Sequence, residues 1–179
     1  MQTKNKAIVT TGFVVLGVFL VDLLTKAVAM RVVGPGAGRS ERWLIGDWLG
    51  LSYSENSGIA FGLLRRGSTL VLALAMVAAI MALSAFVWTH RADGRIVLAG
   101  ALVAGGAAGN LIDRVRFGYV RDFAAIGPWP PFNIADSAIT IGALLAAFTL
   151  LQPVRQGGHT NQIDQRTVSI SSAALDATE

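Results

Sequence analysis

The stretch STLVLALAMVAAIMALSAFVWT, residues 68–89, decides the class of fold, because its 22 residues include no charged side chain. A helix needs about 20 mainly apolar residues to cross the hydrocarbon core of a bilayer. Further uncharged runs lie at 96–112 and 137–154, and another apolar stretch begins at Ala7 and is interrupted by Asp22 and Lys26. The pattern predicts four transmembrane helices, at about 8–30, 68–89, 96–114 and 135–152.

The overall composition favours the same class of protein. Of the 179 residues 53% are hydrophobic and 15% are charged, whereas soluble domains carry about 25% charge. The absence of cysteine excludes disulfides and thiolate chemistry, and with two histidines we expect no metal site. The basic excess, 15 − 11 = +4, is small and scattered, so we expect no nucleic-acid partner.

The connection after the first helix is too long for a simple turn. Two apolar segments around Gly46-Asp47-Trp48 predict two short strands in a small sheet at about 40–62, lying at the membrane surface. From 152 to 179 the chain is polar, which predicts a disordered cytoplasmic tail outside a membrane domain of residues 1–151. The fold expected is all-α and integral to the membrane, with a small β-sheet cradle and loops at its outer surface.

The first helix leaves two questions open. Lys4, Lys6 and the small residues of 27–29 are also typical of a cleaved signal peptide, but Asp22 and Lys26 fall where such a peptide is uncharged. The two lysines before the helix favour a cytoplasmic N-terminus. The later connections oppose this orientation, because more arginines fall on the outer side.

Six ionisable residues mark one end of the predicted bundle. A charge at membrane depth is costly, so such residues are candidates for a functional site. With the first helix running outward, topology brings all six to the outer side of the membrane: Asp22, Lys26, Asp113, Arg114, Asp122 and Asp136.

Two of these residues form a candidate catalytic pair. Asp122 and Asp136 flank a loop interrupted by Gly127-Pro128 and Pro130-Pro131, which can fold back so that the carboxyls meet. Two carboxylates about 3 Å apart cannot both ionise, and such a pair can activate water and protonate a leaving amine. Asn133 is a plausible N-cap for the last helix, whose N-terminus favours ionised Asp136.

The charges by themselves leave other interpretations open. Charges at helix ends can extend to the interface, and a membrane transport or binding protein, or a structural subunit, would also explain them. Asp22 with Lys26 can be an ordinary i,i+4 helix pair, and Asp113 with Arg114 a surface pair. Asn56 can cap a turn.

Four local strings favour the catalytic interpretation. They are DLLTK at 22–26, ENSGIAFG at 55–62, GNLIDR at 109–114 continuing to GYVRDF at 118–123, and FNIADS at 132–137. In this order they resemble the lipoprotein signal peptidases (signal peptidase II), aspartic proteases of the bacterial inner membrane. The resemblance extends from about Val21 to Gly142.

The resemblance implies a role for each matching residue. Asp122 and Asp136 match the catalytic dyad. Substrate-binding or site-shaping roles are implied for Asn56, Asn110, Arg114 and Asn133. Structural support is implied for Asp22, Lys26, Gly58, Ala60 and Asp113.

The resemblance also implies a reaction and a location. The substrate is a diacylglyceryl-prolipoprotein, cut just before its lipidated cysteine, and the other partners are membrane lipids. No metal or organic cofactor is expected, and the protein is expected to be a monomer. Both termini are expected in the cytoplasm, with the active site near the outer surface of the bacterial inner membrane.

Overall fold

The structure is a computed structural model that describes residues 2–38, 40–57, 77–78, 81, 85–87, 89 and 93–152. Three long helices and four short strands are described in full. In chain order they are α1 (Gln2–Val33), β1 (Glu41–Ile45), β2 (Leu49–Asn56), α2 (Gly94–Phe117), β3 (Val120–Ile126), β4 (Trp129–Phe132) and α3 (Ile134–Leu151).

The described part of the chain is that of a membrane protein. Three segments are long and apolar enough to cross a bilayer, namely Val9–Val33, Gly94–Phe117 and Ile134–Leu151. A mostly helical membrane fold with a small sheet is therefore confirmed. The predicted helix at 68–89 lies largely outside the described residues, as do Gly58, Ala60 and the tail from 153.

The directions of the helices follow from contacts at their ends. At one end of the bundle, Arg95 near the start of α2 donates to Gln152 just after α3 at 2.6 Å. At the other end, Lys26 of α1 lies 3.1 Å from Asp113 of α2. Therefore α1 and α2 are parallel and α3 is antiparallel to both. We call the end where α1 and α2 finish and α3 begins the site end.

Small residues let α2 approach both of its neighbours. A Cβ at Gly105 would lie 2.8 Å from the Val15 carbonyl oxygen of α1. One at Gly142 of α3 would lie 2.7 Å from the Ala99 carbonyl oxygen of α2. Such close backbone approach is the usual way in which helices associate in lipid.

Gly109 is the small residue nearest to the buried charges. A Cβ at this position would overlap Asp22 Oδ2, whereas a Cβ at Gly12 on α1 would meet nothing within 4 Å. We expect Gly109→Ala to lower the free energy of unfolding by about 1–3 kcal/mol, because the methyl group displaces the buried Asp22 carboxylate from its partners. Thermal unfolding in detergent measures the loss. Gly12→Ala is the matched control, and an equal effect of both substitutions would contradict this packing.

The sheet has twice as many strands as the sequence predicted. It is antiparallel in the order β1-β2-β3-β4. The segment expected to be a loop between the two aspartates is the hairpin β3–β4, which turns at Gly127 with φ +46°. The two prolines of β4 are tolerated because β4 is an edge strand. Proline content alone suggested a loop. β4 nevertheless forms because β3, which it pairs with, is itself held by β2 from a distant part of the chain.

The turn into β3 positions the first candidate catalytic residue. Gly118 ends α2 in the left-handed conformation, φ +82°, and its N–H donates to the Arg114 carbonyl at 3.0 Å. β3 then pairs with β2, with Asp122 opposite Ser54. Asp122 is thereby held at the site end, between the sheet and the helices.

Candidate active site

Asn133 joins the two candidate catalytic aspartates. It is the N-cap of α3, and its side-chain oxygen accepts the backbone N–H of Asp136 at 2.9 Å. Asp136 Oδ2 in turn accepts the backbone N–H of Asn133 at 3.3 Å, which completes a capping box. The Asn133 side-chain amide donates to Asp122 Oδ1 at 2.6 Å. One fully buried residue therefore holds a carboxylate of β3 beside a carboxylate of α3.

Asn110 of α2 is a second link to the pair. Its Nδ2 donates to Asp136 Oδ1 at 2.7 Å. Its Oδ1 accepts from Lys26 Nζ at 3.1 Å and from Asn133 Nδ2 at 3.2 Å. Since two donors face the amide oxygen and an acceptor faces the amide nitrogen, only one orientation of this amide satisfies all three contacts.

Lys26 and Asp22 form the expected i,i+4 pair, with 2.7 Å between Nζ and Oδ2. The pair also links all three helices. Lys26 Nζ is 3.1 Å from Asp113 Oδ2 of α2, and Asp22 Oδ1 accepts the backbone N–H of Ala135 of α3 at 2.9 Å. The three charged side chains are fully buried, so each charge depends on its partners for stabilisation.

Asp113 is a buried anchor for β3, and its interpretation as a surface pair with Arg114 is wrong. Its Oδ1 lies 2.6 Å from Arg121 Nη2, and its Oδ2 accepts the backbone N–H of Arg121 at 3.1 Å. The Arg121 guanidinium also lies over the Phe117 ring, 4.4 Å from the centroid. These contacts fix the residue that immediately precedes Asp122.

Asp122 is the more enclosed of the two aspartates, with 2% of its surface exposed. Its Oδ2 accepts from Asn56 Nδ2 of β2 at 3.1 Å. Burial, and after it the negative charge of Asp136, raises the pKa of Asp122 from 3.8 to about 7. Burial thus favours the protonated form of this carboxyl well above the pH at which an ordinary aspartate ionises.

The charges of the cluster nearly balance. Arg114 is buried and interacts electrostatically with Asp136, Asp122 and Asp113. The cations and anions give 3 − 4 = −1 when all are ionised, and zero when the aspartate pair holds one proton. The members are Lys26, Arg114, Arg121, Asp22, Asp113, Asp122 and Asp136.

A family profile described as "Signal peptidase (SPase) II" matches residues 14–152, a range that contains the whole of this cluster. The chain belongs to the signal peptidase II family. Signal peptidase II is a peptidase family, so the cluster belongs to a membrane-embedded peptidase.

Individual relatives of this signal peptidase II chain cover most of its length. A "Lipoprotein signal peptidase" of Syntrophomonas wolfei is 42% identical over 134 residues, which are 75% of this chain and 87% of the relative. One of Halothermothrix orenii is 38% identical over 144 residues, covering 80% of this chain and 97% of the relative.

The solved structures include a similar fold. One described as "Bacterial membrane enzyme structure by the in meso method at 2.3 A resolution" has a TM-score of 0.72 and 28% sequence identity. The alignment covers 85% of this signal peptidase II chain and 93% of that structure.

The structure of this signal peptidase II chain brings nine of the eleven site residues named from sequence into one cluster. The other two, Gly58 and Ala60, lie outside the described residues. Arg121 was missed, because its partner Asp113 lies across the turn at Gly118 and no local string indicates that pairing. Among the residues that the structure describes, no group of three or more His, Asp or Glu side chains is arranged to hold a metal ion.

Proposed function

We propose that the chain is an aspartic endopeptidase whose catalytic dyad is Asp122 and Asp136. The observation that carries the proposal is the double attachment of Asn133, which donates its side-chain amide to one carboxylate and its backbone N–H to the other. Of the five remaining charges, Lys26, Asp22, Asp113 and Arg121 are paired with one another, and Arg114 interacts with both aspartates. Only the aspartate pair is left with a charge imbalance that a shared proton corrects.

The proposed mechanism assigns the proton to Asp122. Asp136 lies in the first turn of α3, where its carboxylate accepts from the Asn110 amide and from the Asn133 backbone N–H. Asp136 takes a proton from water as the water oxygen attacks the scissile carbonyl, while Asp122 protonates the carbonyl oxygen. These steps give a tetrahedral diol. When the diol collapses, Asp136 gives its proton to the leaving amine, and Asp122 takes back a proton from one of the two hydroxyl groups.

The neighbouring residues are proposed to position the dyad and the substrate. Asn110 and Asn133 hold the two carboxylates, and Asn56 reaches Asp122 from the sheet. Arg114 adds a positive charge close to both aspartates. As the sheet forms one wall of the site, an extended peptide lying along β2 and β3 would pass directly over the dyad.

The proposed substrate is a prolipoprotein whose cysteine carries diacylglycerol, cut immediately before that cysteine. The relatives' name, "Lipoprotein signal peptidase", supports this substrate class. The dyad lies at the end of helices long enough to span a bilayer, so a peptide bond at the interface can reach it while its lipid stays in the membrane. A transport function is not favoured, because the polar cluster is confined to one end of the described helices.

Four membrane crossings are proposed from the positions of the described ends. β2 finishes at Asn56 beside Asp122, at the site end, whereas α2 starts at Gly94 near Gln152, at the opposite end. α2 has 24 residues and is about 36 Å long. These positions support a fourth crossing between them, for which residues 68–89 have the length and composition.

The proposed location is the bacterial inner membrane, with both termini in the cytoplasm and the site end outside. Because the chain has no cysteine, single-cysteine variants report this topology directly. In intact spheroplasts we expect a membrane-impermeant maleimide to label Asp47→Cys, in the β1–β2 turn, and to leave Asp93→Cys unlabelled until the cells are opened. The reverse labelling would contradict the proposed orientation.

A cleavage assay tests the proposed function. The purified protein in detergent is given a diacylglyceryl-prolipoprotein, or the same precursor without lipid, and the released signal peptide is identified by mass spectrometry. We expect a single cut before the lipidated cysteine and slower cleavage of the unlipidated precursor. Absence of cleavage by a folded protein would refute the proposal.

The raised pKa of Asp122 predicts how pH affects the reaction. We expect the cleavage rate to fall as pH rises above about 7, because Asp122 then loses the proton that it donates. The effect on stability has the same sign. Folded Asp122 binds a proton more tightly than the unfolded residue, so its contribution is full below pH 3.8 and is lost as pH rises to about 7. A pH–rate profile beside thermal unfolding separates the two effects, and a rate that still rises at pH 9 would contradict the assignment.

A further inference from the structure

Lys26 is the cation at the centre of the buried cluster, and the dyad mechanism above does not use it. Its Nζ has three acceptors within 3.1 Å, namely Asp22 Oδ2, Asp113 Oδ2 and Asn110 Oδ1. The contact to Asn110 is a hydrogen bond, and the two carboxylate contacts of this fully buried residue are ion pairs. Its two carboxylate partners would suffice for an ion pair, and the third contact connects it to the dyad.

The third contact continues to Asp136 through one side chain. Lys26 donates to the oxygen of the Asn110 amide, whose nitrogen donates to Asp136 Oδ1 at 2.7 Å. A positive charge at the oxygen polarises the amide and strengthens its N–H as a donor, because hydrogen bonds in a chain reinforce one another in a low dielectric. If the amide turned over, its oxygen would face Asp136 and its nitrogen would face Lys26, and both contacts would be repulsive.

We propose that Lys26 is a positioning residue that keeps the dyad singly protonated, acting through the Asn110 amide and through its own charge. This inference rests on the proposed function, because it assigns to Lys26 a part in the same reaction. Lys26 contacts neither the substrate nor the reacting atoms. It sets the orientation of the amide that holds Asp136, and its positive charge acts on the dyad in addition to that of Arg114.

The charges around Lys26 determine the direction of its effect. Asp22 of α1 and Asp113 of α2 face it directly, while Arg114 of α2, Arg121 of β3 and the dyad itself complete the surroundings. The positive charge of Lys26 also lowers the pKa of Asp122, against the larger effect of burial. Removing the Lys26 charge should therefore raise the pH at which Asp122 titrates, and removing one of the anionic partners of Lys26 should lower it.

Three variants test the role of Lys26 through the alkaline limb of the pH–rate profile, which is the fall in cleavage rate as Asp122 loses its proton. Lys26→Met should shift the limb upward by about one pH unit and lower kcat by about 10²-fold, since the Asn110 amide is released. Lys26→Arg keeps the charge and should restore the wild-type limb. Asp22→Asn should shift the limb downward, because Lys26 then acts on the dyad with one anionic partner fewer.

Asp22→Asn keeps the test decisive if Lys26→Met does not fold. Lys26 retains Asp113 as an ion-pair partner in that variant, and an asparagine oxygen can still accept the Ala135 N–H. Circular dichroism establishes folding before each assay. If the folded variants cleave with the wild-type pH profile, or if both shift it in one direction, Lys26 has only a structural role and the inference is wrong.

A second readout separates this inference from the proposed function. The carbonyl stretch of a protonated carboxyl can be titrated by infrared spectroscopy in the substrate-free protein, and the Asp122→Asn difference spectrum assigns it. Opposite shifts of this titration in Lys26→Met and Asp22→Asn would support the role of Lys26 even if no prolipoprotein were cleaved. If the wild type cleaved the substrate but the carboxyl titrated at the same pH in both variants as in the wild type, the inference would be wrong and the proposed function would stand.

Discussion

Asp122→Asn and Asp136→Asn will each lower the rate of prolipoprotein cleavage by about 10³-fold or more, with the fold retained. Each substitution keeps a side chain of the same shape and an oxygen that accepts a hydrogen bond. Neither can take up or release a proton at the reacting atoms. Because the two carboxylates act as one unit, we expect the double variant to be little worse than either single variant.

Asp47→Asn is the matched control for this experiment. Asp47 is exposed in the turn between β1 and β2, so the same chemical change there leaves the dyad intact. We expect wild-type cleavage from this variant in the same detergent and with the same substrate. Full activity of either dyad variant, with circular dichroism showing a folded protein, would remove that residue from the mechanism.

Asn133→Ala will cause the second large loss, in both stability and activity. The substitution removes the N-cap of α3, which costs about 1 kcal/mol. It also leaves buried Asp122 without one of its donors, which costs about 1–3 kcal/mol more. We expect cleavage to fall by about 10²-fold beyond the loss of folded protein, because the carboxylates are no longer held in one geometry.

Asp93→Ala separates the loss of a helix cap from the loss of the dyad geometry. Asp93 is the N-cap of α2, at the end of the bundle opposite to the dyad, and accepts the backbone N–H of Arg95 at 2.8 Å. We expect a smaller decrease in melting temperature and an unchanged rate per folded molecule. If Asn133→Ala also kept the wild-type rate per folded molecule, the double attachment would be structural only.

The membrane character of the chain could be predicted from sequence because burial in lipid acts on each segment separately. A helix that crosses the bilayer satisfies its own backbone hydrogen bonds, so length and apolar composition are sufficient evidence. The Asn133 cap was predictable for a related reason. Capping depends on residues three positions apart, and Asn133 and Asp136 have that spacing in the sequence.

The site required more than local pattern. The order of the four motifs indicated the family, and with it the aspartate pair, but gave no contacts. Both strands of the β3–β4 hairpin were missed. β3 pairs with β2, more than 60 residues away in the chain, as the pairing of Asn56 with Val120 illustrates. β4 pairs only with β3, across the turn at Gly127, so its place in the sheet depends on that of β3. Strand pairing of this kind depends on the partner, and β-propensity by itself is a weak guide to it.

Sequence by itself determined that this protein lies in a bilayer, which apolar runs can span it, and which residues are costly to bury in it. Tertiary structure decided which charge stabilises which. Lys26 reaches Asp136 through an amide of another helix, and Asp113 fixes the strand that carries Asp122. The physical reason is that a buried charge is stabilised by whatever lies within a few ångströms, and the packing of helices and strands alone determines those neighbours.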